Sequence, residues 1–278
     1  MTASSTVSAP VFSAFIFAAV AELLLPIVLL LILCLKHKIS TKPMFLGAAA
    51  FFVSQMLLRM PILQVLGTQN WFKAFAMNFI PYAAVLAVTA GLFEESARYL
   101  FAGGFLKNQR GFRDAIAFGL GHGFCEVIFI TGMVQINNIN YAIMINNGTF
   151  TQLTSKLPSA MGQQLLNTML SAKPEMVYLG VLERVFAVTF HVFATVLIFK
   201  ALREHKIRYY FLALAAHALF DFGTATVGHY TNLWITEGFI CIVALVSLFF
   251  IFKMKPSFEE ITNGAKNQPE AIKLRESK

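Results

Sequence analysis

The sequence predicts an all-α fold, a polytopic transmembrane helical bundle of about seven spans. Three properties predict it: 57% of the 278 residues are apolar, only 13% are charged, and the mean hydropathy is +0.67. In soluble domains about a quarter of the residues are charged, and disordered, collagen-like or disulfide-stapled chains are far more polar, Gly/Pro-rich or Cys-rich. The composition therefore excludes those classes and indicates a lipid bilayer.

A helix needs about 20 apolar residues to cross about 30 Å of hydrocarbon. Seven stretches meet this length: residues 11–35, 43–66, 77–105, 115–134, 176–199, 209–227 and 233–252. The first follows ten residues without a basic side chain and is longer than the apolar core of a signal peptide, so it is expected to remain as a helix. We expect one membrane domain over residues 1–255, with a polar outer loop at 135–174 and a polar tail at 256–278.

The basic residues predict the orientation of these spans. With alternating crossings, 16 Lys and Arg side chains fall on one side of the membrane and three on the other. Because cytoplasmic loops carry the basic excess, the amino terminus is predicted outside and the carboxyl terminus in the cytoplasm of a bacterial cell. Topology thus explains the formal charge of +8, and nucleic-acid binding is not expected, since no basic stripe interleaved with aromatic residues lies on one face.

Ionisable residues inside the spans form the candidate site, because such groups are costly in hydrocarbon and mark functional positions. At 1.5 Å per helical residue, four of them on four spans lie about 14 to 18 Å from the cytoplasmic face. They are Glu95, His122, His191 and His217. One turn deeper, Glu126 follows His122 and Asp221 follows His217 at i+4, so each pair shares a helix face. We therefore expect one shared buried site near the membrane midplane.

The adjacent carboxylates Glu94 and Glu95 precede Arg98 by four and three residues. Glu94 and Arg98 share a helix face and are expected to pair, which turns Glu95 by about 100° toward another neighbour. A desolvated carboxylate such as Glu95 is suited to general-base catalysis on water. Histidines opposite it either donate to a developing oxyanion or bind a divalent metal. These residues therefore predict hydrolysis.

Short motifs on separate spans carry a family resemblance. They are EESAR at 94–98, FGLGH at 118–122 within the longer GLGHGFCE at 119–126, ERVFAVTFH at 183–191 and HALFD at 217–221. They resemble the EExxxR, FxxxH and HxxxN/D motifs of type II CAAX-processing and bacteriocin-immunity membrane proteases, to which PrsW-like proteases are also similar. The closer resemblance is to the YhfC-like intramembrane metalloproteases, from the third to the sixth span. Two departures are that Arg98 comes one residue early for EExxxR and that Asp221 replaces Asn.

The resemblance implies an intramembrane endopeptidase that cleaves a membrane-associated peptide or protein. By position, Glu95 would activate water with Glu94 in support, and His122 and His217 would stabilise the oxyanion or bind a metal. Asp221 matches the last motif position. Four further residues are expected to support this site: Glu126, Glu183, Arg184 and His191.

Two hydrolytic schemes fit these residues. The YhfC-like resemblance implies Zn²⁺, and His122, His191 and His217 at one level would satisfy its tetrahedral preference with one open position. No HExxH motif is present, and the same residues serve a metal-free scheme with Glu95 as base and imidazoles as donors. The sequence gives Zn²⁺ and no metal about equal weight.

Two functions outside the protease class also fit the intramembrane charges. A proton- or cation-coupled transporter uses such residues as a relay, but transporters commonly show internal repeats, and none is seen. A catalytically silent bacteriocin-immunity protein would keep the fold, although the retained Glu95, His122 and His217 argue against it. The predicted partners are the bilayer and a membrane-associated peptide or protein.

Overall fold

The computed structural model describes residues 6–276, without the side chains of His37 and of residues 260–276. The predicted all-α fold is confirmed, since this part of the chain contains α-helices, two π-helical segments and no strand. The α-helices are α1 (Ala9–His37), α2 (Thr41–Phe51), α3 (Met60–Thr68), α4 (Asn70–Ala76), α5 (Phe79–Phe105), α6 (Phe112–Glu126), α7 (Met133–Asn146), α8 (Thr151–Thr154), α9 (Ser159–Ser171), α10 (Pro174–Glu204), α11 (Arg208–Tyr230) and α12 (Leu233–Glu276). The π-helical segments are Phe52–Arg59, between α2 and α3, and Val127–Gly132, between α6 and α7.

In the described part of the chain, six helical stretches are long and apolar enough to cross a membrane, and a bent helix pair raises the number to seven. The six are Ala9–Lys36, Thr41–Thr68, Phe112–Asn146, Pro174–Glu204, Arg208–Tyr230 and Leu233–Glu259. Each overlaps one predicted span, and the remaining predicted span at 77–105 corresponds to α5. The prediction of about seven spans is therefore confirmed.

The bent pair consists of α4 and α5, which meet at an angle of 107°. Asn78 leaves helical geometry there, with φ −93° and ψ 95°. Pro81 lies in the first turn of α5, where its missing N–H breaks no intrahelical hydrogen bond. Phe72 of α4 is buried and packs edge-to-face on Tyr82 of α5, so an aromatic contact stabilises the bend.

The outer loop expected at 135–174 is mostly helical. Helix α7 continues the fourth span to Asn146, twelve residues beyond the expected end at residue 134, and α8 and α9 follow. Polar Asn residues do not end α7 because apolar residues between them pack inward, among them the buried Ala142 and Ile145. The composition indicated a polar segment, but it did not reveal that the packing of its apolar residues keeps this segment helical.

The chain forms two compact units. The first comprises the residues up to 36 and residues 124–185, with a core that includes Phe15 and Met169. The second comprises residues 37–123 and the residues from 186 onward, with a core that includes Phe118 and Phe199. The single domain expected over 1–255 and the orientation of the termini stay predictions. Helix α12 runs through the expected tail to Glu276, and residues 277–278 lie outside the described residues.

Two glycines let α2 and α6 of the second unit touch backbone to backbone. A Cβ at Gly47 would lie 2.0 Å from the carbonyl oxygen of Phe118, and one at Gly121 would lie 1.9 Å from that of Met44. Only a residue without Cβ permits such an approach. Because Gly121 directly precedes His122, the same contact fixes the position of that histidine.

Candidate functional site

Six ionisable side chains from four helices meet inside the second unit. Helix α5 supplies Glu94, Glu95 and Arg98, and α6, α10 and α11 supply His122, His191 and His217 in turn. All six are buried, and Glu95, Arg98 and His122 have no exposed surface at all. The structure thus brings together the residues that sequence analysis placed at one depth.

Arg98 links the two carboxylates to a histidine. Its Nη2 lies 3.1 Å from Glu94 Oε2 and 2.8 Å from His191 Nδ1, while its Nη1 donates to Glu95 Oε1. The predicted pairing of Arg98 with Glu94 is confirmed. Glu95 does reach another neighbour, His217, but it also contacts Arg98, because a residue at i+3 lies within reach of a forked guanidinium.

Glu94 lies at the centre of the three histidines. Its Oε2 is 2.9 Å from His122 Nε2, 3.8 Å from His191 Nδ1 and 3.8 Å from His217 Nε2. Its other oxygen, Oε1, accepts a hydrogen bond of 3.0 Å from Gln55 Nε2. One carboxylate therefore has all three imidazoles within 4 Å of a single oxygen.

Glu95 orients His217. The Nδ1 atom of His217 lies 2.7 Å from Glu95 Oε1, and since a carboxylate only accepts, Nδ1 carries the proton. A neutral ring then has its lone pair at Nε2, which lies 3.6 Å from Asp221 Oδ2. By the same argument His191 Nδ1, which accepts from Arg98, also has a lone pair. Two imidazole lone pairs are thus placed near Glu94.

Three of these side chains fit a metal ion. One ligand atom each from Glu94, His191 and His217 lies within 4.8 Å of the others, and all three residues are buried. Two histidines and a glutamate form one of the known ligand sets of catalytic zinc. Glu95 further supplies the carboxylate that commonly orients a ligating histidine from behind. The donor set therefore fits zinc.

This group differs from the predicted set of His122, His191 and His217 by one member. Glu94 takes the place of His122, whose Nε2 bonds to Glu94. The Nδ1 atom of His122 and the Oε2 atom of Glu95 are buried without a hydrogen-bond partner among the described residues. Buried polar atoms are normally paired, so these two atoms mark positions where a water or a substrate group would bind.

The predicted supporting residues Glu126, Glu183 and Arg184 belong to the first unit. Arg184 contacts Glu183 and has its Nη1 3.8 Å from Glu126 Oε1. Sequence analysis missed Glu22 of α1, which is buried in the same unit. Its acidic side chain within an otherwise apolar span was the signal.

Gln55, which sequence analysis passed over, connects Arg59 to Glu94. Arg59 Nη1 donates to Gln55 Oε1 at 3.1 Å, and Gln55 donates to Glu94. Gln55 carries no charge, so a search for charged intramembrane groups passes over it. An amide followed four residues later by an arginine in one apolar span was the available signal.

Comparison with known proteins identifies relatives of the chain. A family model described as YhfC intramembrane metalloprotease matches residues 21–240. A Bacillus subtilis (strain 168) protein named "Uncharacterized membrane protein YhfC" is 32% identical over 247 residues, which cover 85% of this chain and 93% of the relative. No solved structure matches the chain at a significant level. The chain is thus a multi-pass protein of the cell membrane, and it belongs to the YhfC intramembrane metalloprotease family.

Proposed function

We propose that this chain is an intramembrane endopeptidase that hydrolyses a peptide bond of a membrane-associated peptide or protein. The observation that carries the proposal is the buried group of Glu94, His191 and His217 with Glu95 directly behind His217. Together with the family, this arrangement favours metal-assisted hydrolysis over transport, because it provides three ligands and a carboxylate, Glu95, that orients one of them and is the candidate base.

Zinc would be held by Glu94, His191 and His217. When bound there, zinc would act as a Lewis acid that activates water and polarises the scissile carbonyl. Arg98 donates to His191 Nδ1, so this nitrogen would bind zinc only after it gives up the hydrogen bond from Arg98.

In their neutral forms, the histidines favour this scheme over the metal-free one. A metal-free oxyanion hole needs N–H groups that point at the substrate. Neutral His217 uses its Nδ1 proton toward Glu95, and neutral His122 uses its Nε2 proton toward Glu94. The remaining nitrogens are acceptors, which suit a metal or a proton better than an oxyanion. His122 donates to an oxyanion from Nδ1 only as an imidazolium.

Glu95 is the proposed general base. Its Oε1 is held by Arg98 and His217, whereas its Oε2 is buried without a hydrogen-bond partner among the described residues. Oε2 is thus the atom proposed to take the proton from water, while Oε1 keeps His217 oriented. Asp221, with about a third of its side chain exposed, is proposed to hold the water or the substrate amide at the accessible side of His217.

Glu95→Gln tests the base, because it keeps the shape of the side chain and an acceptor for His217. Membrane peptides from cells with the wild-type or the variant protein are compared by quantitative mass spectrometry, with Glu259→Gln as a matched exposed control. We expect uncleaved substrate to accumulate only with Glu95→Gln. An unchanged peptide profile would refute the glutamate-base mechanism. On the purified protein, activity lost to a chelator and restored by zinc supports the metal scheme, and activity indifferent to chelators contradicts it.

A further inference from the structure

The second span contributes an uncharged group to the candidate site. The π-helical segment Phe52–Arg59 lies within this span, and Ser54 and Gln55 are its buried residues. Gln55 is 4% exposed although it is a polar side chain in an apolar helix. Short π-helical stretches frequently occur at functional sites, and a buried amide in a membrane span needs partners for both of its ends.

Gln55 has such partners on both sides. Its Nε2 donates to Glu94 Oε1 at 3.0 Å, and its Oε1 accepts from Arg59 Nη1 at 3.1 Å. Because a guanidinium only donates and an ionised carboxylate only accepts, these partners fix which end of the amide faces which group. The amide therefore cannot flip without losing both hydrogen bonds.

Arg59 is itself fixed by α5. Its Nη2 donates to the carbonyl oxygen of Leu86 at 2.7 Å, and its Nε donates to Thr89 Oγ1 at 3.3 Å. Helix α5 also carries Glu94, so the hydrogen bonds form a closed circuit from α5 through Arg59 and Gln55 back to α5. The circuit ties the rotamer of Glu94 to the backbone of its own helix.

We propose that Gln55, held by Arg59, is a positioning residue that fixes Glu94 as a metal ligand. By binding Oε1, the amide leaves Oε2, which accepts from His122 and Arg98, within 3.8 Å of both His191 and His217. This inference rests on the proposed metal site and extends it to a residue that has no place in the motifs. Groups that orient a ligand typically change metal affinity by about 10- to 100-fold when they are removed.

The test measures zinc affinity of the full-length protein in detergent, by competition with a chromogenic chelator. Gln55→Met keeps the length of the side chain and removes both hydrogen bonds, and we expect about 10- to 100-fold weaker zinc binding. Gln64→Met is the matched control, because Gln64 lies in the same span and is exposed. We expect wild-type affinity from it.

Arg59→Met tests the second link without touching Glu94. We expect a smaller loss than in Gln55→Met, and a double variant no weaker than Gln55→Met alone, because Arg59 acts through Gln55. Should Gln55→Met not fold, Arg59→Met decides: a loss of about threefold or more supports the inference, and wild-type affinity overturns it.

The outcomes separate this inference from the proposed function. Zinc binding that is lost in Glu94→Gln but unchanged in Gln55→Met overturns the role of Gln55 and leaves the metal site intact. A wild-type protein that binds no zinc overturns the metal site and the positioning role together. Equal loss in Gln55→Met and Gln64→Met shows a general effect of amide removal and also overturns the inference.

Discussion

Replacing Gly121 by Ala forces α6, which carries His122, away from α2. The added Cβ would lie 1.9 Å from the carbonyl oxygen of Met44, and Cβ atoms essentially never come within 3.0 Å of another heavy atom. The backbone of α2 or α6 must therefore move by at least 1.1 Å. The clashing atom belongs to the backbone, so no side-chain rotation relieves it.

The cost follows from this displacement. Overpacking a well-packed interior costs about 1–3 kcal/mol, and a rigid backbone partner favours the upper end. For a chain of this size, a loss of about 3 kcal/mol corresponds to a melting temperature lower by roughly 5–10 °C. Helix α2 leads directly into the segment that carries Gln55. A shift of this size is enough to stretch the 3.0 Å hydrogen bond from Gln55 to Glu94 beyond bonding distance, so zinc affinity should fall as well.

Thermal unfolding in detergent and zinc competition measure the two effects on the same preparation. Gly180→Ala is the matched control, because a Cβ there meets nothing within 4 Å and alanine is the better helix former by about 1 kcal/mol. We expect Gly180→Ala to be neutral or stabilising. A Gly121→Ala protein that melts within about 1 °C of wild type and binds zinc normally would show that α2 and α6 do not meet as closely as the structure indicates.

Substitutions at three further positions test other contacts of the structure. Glu95→Gln should lower the cleavage rate by a factor of about 10² to 10⁴, as expected for loss of a general base, and zinc affinity by a factor of less than about 100. A larger loss of zinc affinity than of cleavage rate would show that Glu95 serves metal binding and is not the base. Arg98→Met leaves Glu94 and Glu95 buried without their cation and should lower the free energy of unfolding by about 3–5 kcal/mol. Arg98→Lys should recover only part of this free energy, because an ammonium group does not donate to two carboxylates as a forked guanidinium does. Full recovery in the same unfolding assay would show that the two contacts of Arg98 do not depend on its guanidinium. Arg184→Met should cost only about 1 kcal/mol, because Arg184 and its partner Glu126 are both partly exposed; a loss as large as that of Arg98→Met would show the pair to be fully desolvated.

The spans could be predicted because the bilayer requires a fixed length of apolar helix, which composition reveals directly. The 107° bend before α5 was not predicted. It depends on a single non-helical residue and an aromatic contact, and neither alters hydropathy. The helix at the start of the expected outer loop was missed because its hydropathy is low although it is packed. Its Asn residues lower hydropathy, while the buried Ala142 and Ile145 between them keep it packed.

For the site, sequence spacing gave depth but not direction around each helix. Depth was sufficient to group Glu95, His122, His191 and His217. The direction of each side chain around its helix decides which atoms face one another. For this reason Glu94, and not His122, belongs to the candidate ligand set in the structure. A rotation of 100° separates neighbouring residues on a helix, so the adjacent glutamates could not be assigned to ligand and base by counting alone.

The position of Arg98 decides which carboxylates it contacts. With the arginine one residue later, as in the EExxxR motif, it would stand at i+4 from the second glutamate and beyond i+4 from the first. Here it stands at i+4 from Glu94 and i+3 from Glu95 and contacts both, so two carboxylates share one cation. With both carboxylates ionised, Glu94, Glu95 and Arg98 together carry a net charge of −1. The early arginine, a departure from the wider motif pattern, thus lets one buried guanidinium hold both glutamates in place.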